Sequence, residues 1–141
     1  MSCAAPRRIP EGFEPVPTRG PFYDANGPVW RKQVAAGAQP IYGLMPELCH
    51  TNSLGFVHGG MIATFLDGAM AQSVYDRFQC RLVTLGLRIS YRHVVPIGRW
   101  TEATITLEDA VGDRIIASAD MRCRGSVCAT AQAEFQLFPT H

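Results

Sequence analysis

In the stretch "NSLGFVHGGMIATFLD", Asn52 to Asp67, a histidine and two glycines stand before one of the most apolar segments of the chain. A lone carboxylate follows inside that segment. The His58-Gly59-Gly60 turn feeds a helix whose first backbone N–H groups have no carbonyl partner within it. Free donors and the positive end of the helix dipole stabilise developing negative charge at such a terminus. Glycines leave room for a substrate to approach, so a carbonyl oxygen held at this terminus can become an oxyanion during acyl transfer.

Asp67 comes two helical turns later, with Ala63, Thr64, Gly68 and Ala71 as its near neighbours. All are small, which sets the carboxylate in a notch that a ligand or another chain can enter. Burial raises its pKa and hydrogen bonds to the ionised form lower it, and the sequence leaves that balance open. As a carboxylate it can activate water or attack a carbonyl. Each signal has a bland counterpart: H-G-G is a common way into a helix, and a lone Asp can be paired to a structural arginine. Together they favour chemistry.

The elements that must position these groups follow from the hydrophobic period. From Gly60 to Phe78, Met61, Ile62, Phe65, Leu66, Ala69, Met70 and Val74 recur at helical spacing, and Ala63 and Ala71 fill much of the other side, predicting a nearly enclosed helix. The period then changes to two. Val83, Leu85, Leu87, Ile89 and Tyr91 alternate with Thr84, Gly86, Arg88, Ser90 and Arg92, which predicts a strand with the first set buried. Further strands are expected at Thr101 to Leu107, Ile115 to Arg124 and Val127 to Leu137, with turns at Gly112-Asp113 and Gly125-Ser126. The last strand puts Val127, Ala129, Ala131, Ala133, Phe135 and Leu137 on one face.

One buried helix followed by a four-stranded antiparallel meander is an α+β domain whose curved sheet can wrap the helix. Two or three short strands are expected between Phe22 and Leu48. Residues 1–20 carry Pro6, Pro10, Pro15 and Pro17 and read as a flexible or draped arm, leaving residues 21–141 as the domain.

Composition narrows the class. A chain of 141 residues with 47% hydrophobic and 18% charged residues can bury a real core, and a formal net charge of +1 gives no global argument for nucleic acid or membrane partners. Five cysteines without a C-x-x-C indicate neither a disulfide framework nor a zinc site. The start lacks a secretory h-region, and a cytoplasmic protein is expected. His50, His93 and His141 have no metal-ligand spacing. No G-x-S-x-G elbow, Walker loop or G-x-G-x-x-G occurs, so neither a metal nor a cofactor is expected.

With these residues in view, the sequence resembles the hotdog-fold acyl-CoA thioesterases of the phenylacetyl-CoA thioesterase type. The resemblance rests on "HTNSLGFVHGGMIATFLDGAM", with its N-x-x-G-x-x-H-G-G followed by an Asp, and runs on through "VTLGLRISYRHVVPIG". It covers about residues 26–138, although Val94 stands where family members often carry proline. It implies a hotdog fold and hydrolysis of an acyl-CoA to an acid and free CoA. By the same resemblance, Gly59 with Asn52 assisting would hold the thioester carbonyl, and Asp67 would be base or nucleophile, supplied by the facing subunit of a homodimer or of a homotetramer that is a dimer of dimers. His58 would brace the turn, and Thr84 would position water. The alternation above, however, puts Thr84 on the wrong face.

Gly60, Phe65, Leu66 and Met70 are candidates to line an acyl tunnel, the last three being equally good core residues. Arg77, Arg81, Arg88, Arg92 and Arg99 form a local basic excess suited to CoA phosphates or simply a solvated face. The rival readings are a hotdog hydratase or dehydratase using His58 with Asp67, and an acyl-CoA-binding module without turnover.

Overall fold

The structure, a computed structural model, describes residues 8–139. Its centre is α2, Gly59–Phe78, whose Phe65, Leu66, Ala69, Met70 and Val74 are fully buried. A helix apolar on most of its circumference is stable only when enclosed. Burying each large side chain contributes roughly 1.5–3 kcal/mol, so the helix is held by packing more than by propensity. Gln79, in the left-handed conformation, ends it by donating its N–H to the Tyr75 carbonyl. No helix among the described residues is long and apolar enough to cross a membrane.

Around α2 curves a seven-stranded antiparallel sheet: β1 Glu14–Pro15, β2 Trp30–Lys32, β3 Ile41–Leu44, β4 Arg81–Tyr91, β5 Thr101–Leu107, β6 Arg114–Cys123 and β7 Ser126–Phe138. The spatial order is β1-β2-β3-β5-β6-β7-β4. On β7 the expected face is buried: Ala129, Ala131, Ala133, Phe135 and Leu137 all point at the helix side, and the small alanines let sheet and helix approach. The β6–β7 hairpin turns on Arg124 and Gly125, both at positive φ, the geometry of a two-residue primed turn. Gly112, at φ 62°, serves the β5–β6 connection in the same way.

Three expectations need correction. First, the four long strands are not a simple meander: β5, β6 and β7 are, but β4 pairs with β7 and lies at the sheet edge. The segment after β4 carries the chain back to β5 over the start of α2, where Val57 N–H bonds the Val95 carbonyl and Phe56 bridges to Pro96. Second, "PFYDA" is a short helix, α1 Pro21–Ala25, because Pro21 sits at its first turn, where a missing N–H costs nothing.

The third correction concerns the pleat of β4. Thr84 pairs with Phe135 and Gly86 with Glu134, so Leu85 is an extra residue, a β-bulge. Before it, Leu82 and Thr84 face inward opposite Leu137 and Phe135. After it, Leu87, Ile89 and Tyr91 face inward opposite Ala133, Ala131 and Ala129. Val83 therefore points outward with Gln136, and Thr84 joins the inner face.

The segment before α1 drapes over one end of the sheet. Glu14–Pro15 pairs with Trp30 and Arg31, and Phe13 packs edge-on to Trp100 at 4.9 Å between ring centroids. Trp100 in turn lies across Gly43 of β3, where a Cβ would overlap the indole ring. Gly43→Ala is therefore expected to lower the free energy of unfolding by about 1–3 kcal/mol, the usual cost of overpacking. Urea denaturation followed by tryptophan fluorescence measures it, and an unchanged midpoint would show that Trp100 is free to move.

Candidate active site

The start of α2 is built by His58. As N-cap it sits in an extended conformation, and its Nδ1 accepts the Gly60 N–H at 2.8 Å. The His58 carbonyl takes the N–H groups of Met61 and Ile62 at 2.9 and 3.1 Å. Of the first four amides of the helix, this leaves the Gly59 N–H without a partner among the described residues. A donor at a helix terminus, on a residue with no side chain, can receive a carbonyl oxygen.

At the other end of the site Asp67 is half-buried, and its Oδ1 accepts a hydrogen bond from the Thr84 hydroxyl at 2.8 Å. Burial pushes the Asp67 carboxyl above the ordinary carboxylate range, and the Thr84 bond draws it partly back. Among the described residues no arginine pairs with it. The bland reading of a structural ion pair therefore finds no support among the described residues.

Asp67 lines a cavity of about 460 Å³ together with Tyr23, Ala63, Thr64, Gly68 and Leu87. Arg19, stacked on the Tyr75 ring at 4.7 Å, contributes to the same wall. The small residues predicted to form a notch do form one, and α1 closes its far side. Gly68 is what allows that closure, since a Cβ there would overlap the Tyr23 ring.

The remaining sequence candidates fall in several places. Asn52 is exposed, and its Oδ1 accepts the N–H groups of Leu54 and Phe56 at 2.9 and 3.2 Å, bracing the loop that leads to His58. The Gly60 amide is occupied by His58. Phe65, Leu66 and Met70 are core residues with no exposed surface and take no part in the lining of the Asp67 cavity. Of the five arginines, Arg77 lies 3.9 Å from Asp109, while Arg81, Arg88, Arg92 and Arg99 make no ion pair among the described residues. His141 lies outside the described residues.

Two contributors escaped the sequence reading. Tyr91 donates its hydroxyl to the Gly59 carbonyl at 2.8 Å, and Tyr23 walls the Asp67 cavity. Alternation turns Tyr91 inward correctly but says nothing of its bond to the helix start, and Tyr23 lies on a helix read as a strand.

The fold is thus a hotdog with a glycine-lined helix start and a half-buried acid on that helix. A family model for the thioesterase superfamily matches residues 54–130. "Putative esterase PA0474" of Pseudomonas aeruginosa is 32% identical over 132 residues, 92% of this chain and 97% of that protein. The chain belongs to the thioesterase superfamily and is a thioester hydrolase with a hotdog fold.

Solved structures agree on the fold. A mutant of the phenylacetic acid degradation protein PaaI from Thermus thermophilus superposes with a TM-score of 0.74 at 20% identity, covering 84% of this chain and all of that one. The BH2602 protein of Bacillus halodurans, solved with CoA, gives a TM-score of 0.65 at 27% identity, covering 70% of this chain and 66% of that one.

The state of Asp67 has a measurable consequence for stability. Its folded-state pKa lies above the unfolded value, so folding takes up a proton between the two and stability falls as pH rises through that interval. Above it the loss is complete. Asp67→Asn is thus expected to raise Tm at neutral pH, and the gain should vanish below the ordinary carboxylate pKa. Thr84→Val removes the bond that lowers the Asp67 pKa, so the acid limb of the activity profile should move to higher pH. Calorimetry across pH and a pH–rate profile read the two outcomes; a limb shifted to lower pH would contradict the assignment.

Proposed function

We propose that the protein hydrolyses acyl-CoA thioesters at a site shared between two copies of the chain, with Gly59 of one copy and Asp67 of the other acting on one carbonyl. The observation that carries the reading is the placement of both groups on α2. They are eight residues apart, about 12 Å along the axis at the usual helical rise, too far for one chain to bring them to the same carbon. Each is half of a site.

The surface able to join the halves is β4. It is the sheet edge, and Val83, Leu85, Leu87 and Tyr91 on it are between 40% and 54% exposed. An unpaired edge carrying a row of apolar side chains invites pairing with a second strand. Antiparallel pairing of two copies of β4 about a two-fold axis at Arg88, with Leu85 left out of the ladder as it is against β7, would set Thr84 of one copy opposite Tyr91 of the other. That register brings the Asp67 end of one site beside the Gly59 end of the other.

In the assembled site the Gly59 N–H polarises the thioester carbonyl, with the Asn52 side chain assisting from the loop. Asp67, steadied through Oδ1 by Thr84, uses its free oxygen to activate water or to attack the carbonyl itself. Collapse of the tetrahedral species breaks the carbon–sulfur bond. Where Asp67 acts as base, the proton it took from water passes to the sulfur, which leaves as the thiol of CoA. Where it attacks, the thiolate leaves first and water then hydrolyses the acyl–Asp67 anhydride, releasing the acid and supplying the thiol proton. The acyl group occupies the Asp67 cavity. CoA in the Bacillus halodurans relative favours a CoA thioester as substrate, and unpaired Arg81, Arg88, Arg92 and Arg99 offer charge for its phosphates. His58 spends its Nδ1 on Gly60, which favours hydrolysis over an acid–base hydration that needs the imidazole free.

Gly59→Pro deletes the amide proton at a helix position where proline is welcome, and His58 already has the extended backbone that precedes proline. Its rate of thiol release from acyl-CoA is expected to drop by roughly 10²–10³. Asp67→Asn should be inactive as well. Unfolded together and refolded in equal amounts, the two variants should regain about a quarter of wild-type activity, because half the dimers are mixed and each holds one intact site. No recovery in dimers shown to be mixed would rule out the shared site.

A further inference from the structure

Seven residues separate Thr84 from Tyr91, and in a regular strand an odd separation puts two side chains on opposite faces. Here both face α2. Thr84 holds the Asp67 carboxylate and Tyr91 holds the Gly59 carbonyl, each at 2.8 Å. The bulge at Leu85 is what restores them to one side, so a single edge strand braces both ends of the helix segment.

The Tyr91 contact reaches further than Gly59. Its hydroxyl donates to the carbonyl of the Gly59–Gly60 peptide, and the N–H of that same peptide donates to His58 Nδ1 at 2.8 Å. Donation into a carbonyl polarises its peptide and strengthens the bond made by the N–H. An imidazole nitrogen that accepts a hydrogen bond carries no proton, so the neutral ring bears its hydrogen on Nε2. The ring of Tyr91 also lies 3.4 Å from where a Gly59 Cβ would be, so it confines the turn sterically as well.

We propose that Tyr91 is a positioning residue for the amide end of the site: through the Gly59–Gly60 peptide it locks His58 in the Nε2–H tautomer and keeps the Gly59 N–H turned outward. The exposed His58 ring then offers Nε2–H as a fixed donor beside the unpaired amide. Tyr91 itself need not touch the substrate. The role in turnover rests on the proposed hydrolytic site, whereas the effect on His58 does not.

Tyr91→Phe keeps the ring and removes only the hydroxyl. Ring ¹⁵N–¹H correlation spectra of the ¹⁵N-histidine-labelled protein, with His58 assigned by loss of its signals in His58→Gln, report the tautomer directly. In the neutral ring of the wild type, Nδ1 should appear as an unprotonated acceptor and Nε2 as protonated. In Tyr91→Phe the two shifts should move toward each other, and kcat for thiol release should fall about tenfold with KM unchanged. Thr84→Val should leave the His58 spectrum as it is, which separates this effect from loosening of β4. Identical His58 shifts in Tyr91→Phe and wild type, with the fold intact by circular dichroism, would overturn the proposal. Full activity in Asp67→Asn would instead overturn the hydrolytic reading and leave the His58 result standing.

Discussion

Twenty residues of α2, most of them apolar, must leave water together, and the only surface able to take them is the concave face of the sheet. This burial dictates where chemistry can occur. Along most of its length the helix is sealed by β-strands, so ahead of its exposed last turn at Asp76 and Arg77 it is accessible at its first turn and along the narrow strip of Ala63, Thr64, Asp67, Gly68 and Ala71. A helix start supplies donors without any special side chain. The strip supplies a place where an acid can be half-dry. Both ends of the proposed site are thus consequences of enclosing one helix, and their separation is set by helical rise.

Half-dry is a compromise with a cost. Desolvation pushes the Asp67 pKa upward, which makes the carboxylate a better base and the folded state less stable once it is ionised. A full ion pair would reverse both effects. The structure gives Asp67 one neutral hydroxyl, Thr84, in place of an arginine, and so retains basicity while fixing orientation. Gly68 belongs to the same compromise, since it gives up helix propensity at the helix centre so that Tyr23 can close the cavity.

The parts legible in the sequence were those governed by a single period. Helix α2 and strands β5 and β6 repeat one hydrophobic pattern without interruption, β7 does so from Ala129 onward, past a register shift at Cys128 that pairs Val127 with Arg122, and glycine at the turns marks positive φ directly. Gly59 and Asp67 were legible because a glycine pair before an apolar run and a charge within one are both locally anomalous. Strand β4 was misread where its pattern is broken: Leu85 is apolar, fits the alternation, and is nonetheless the inserted residue of a bulge. Nothing in "VTLGLRISY" distinguishes that from a regular strand except the glycine beside it. The pairing of β4 with β7 was equally hidden, because strand order is a property of the crossover over α2 and not of either strand. The inward turn of Thr84 was lost to the bulge.

The same bulge links architecture to assembly. A flat edge strand with an apolar row pairs readily but in any register, since one slip of two residues restores an equivalent face. A bulge removes that freedom, because only registers that keep both irregularities clear of each other preserve the ladder. On the shared-site reading this matters more than the apolar contact itself. Slippage by two residues displaces one half-site against the other by about 7 Å at the usual strand rise, more than the length of a bond in transit between water and carbonyl can absorb. An edge that pairs in one register converts a hydrophobic liability into a ruler, and the residues set by that ruler are Thr84 and Tyr91, the two that hold the carboxylate and the amide.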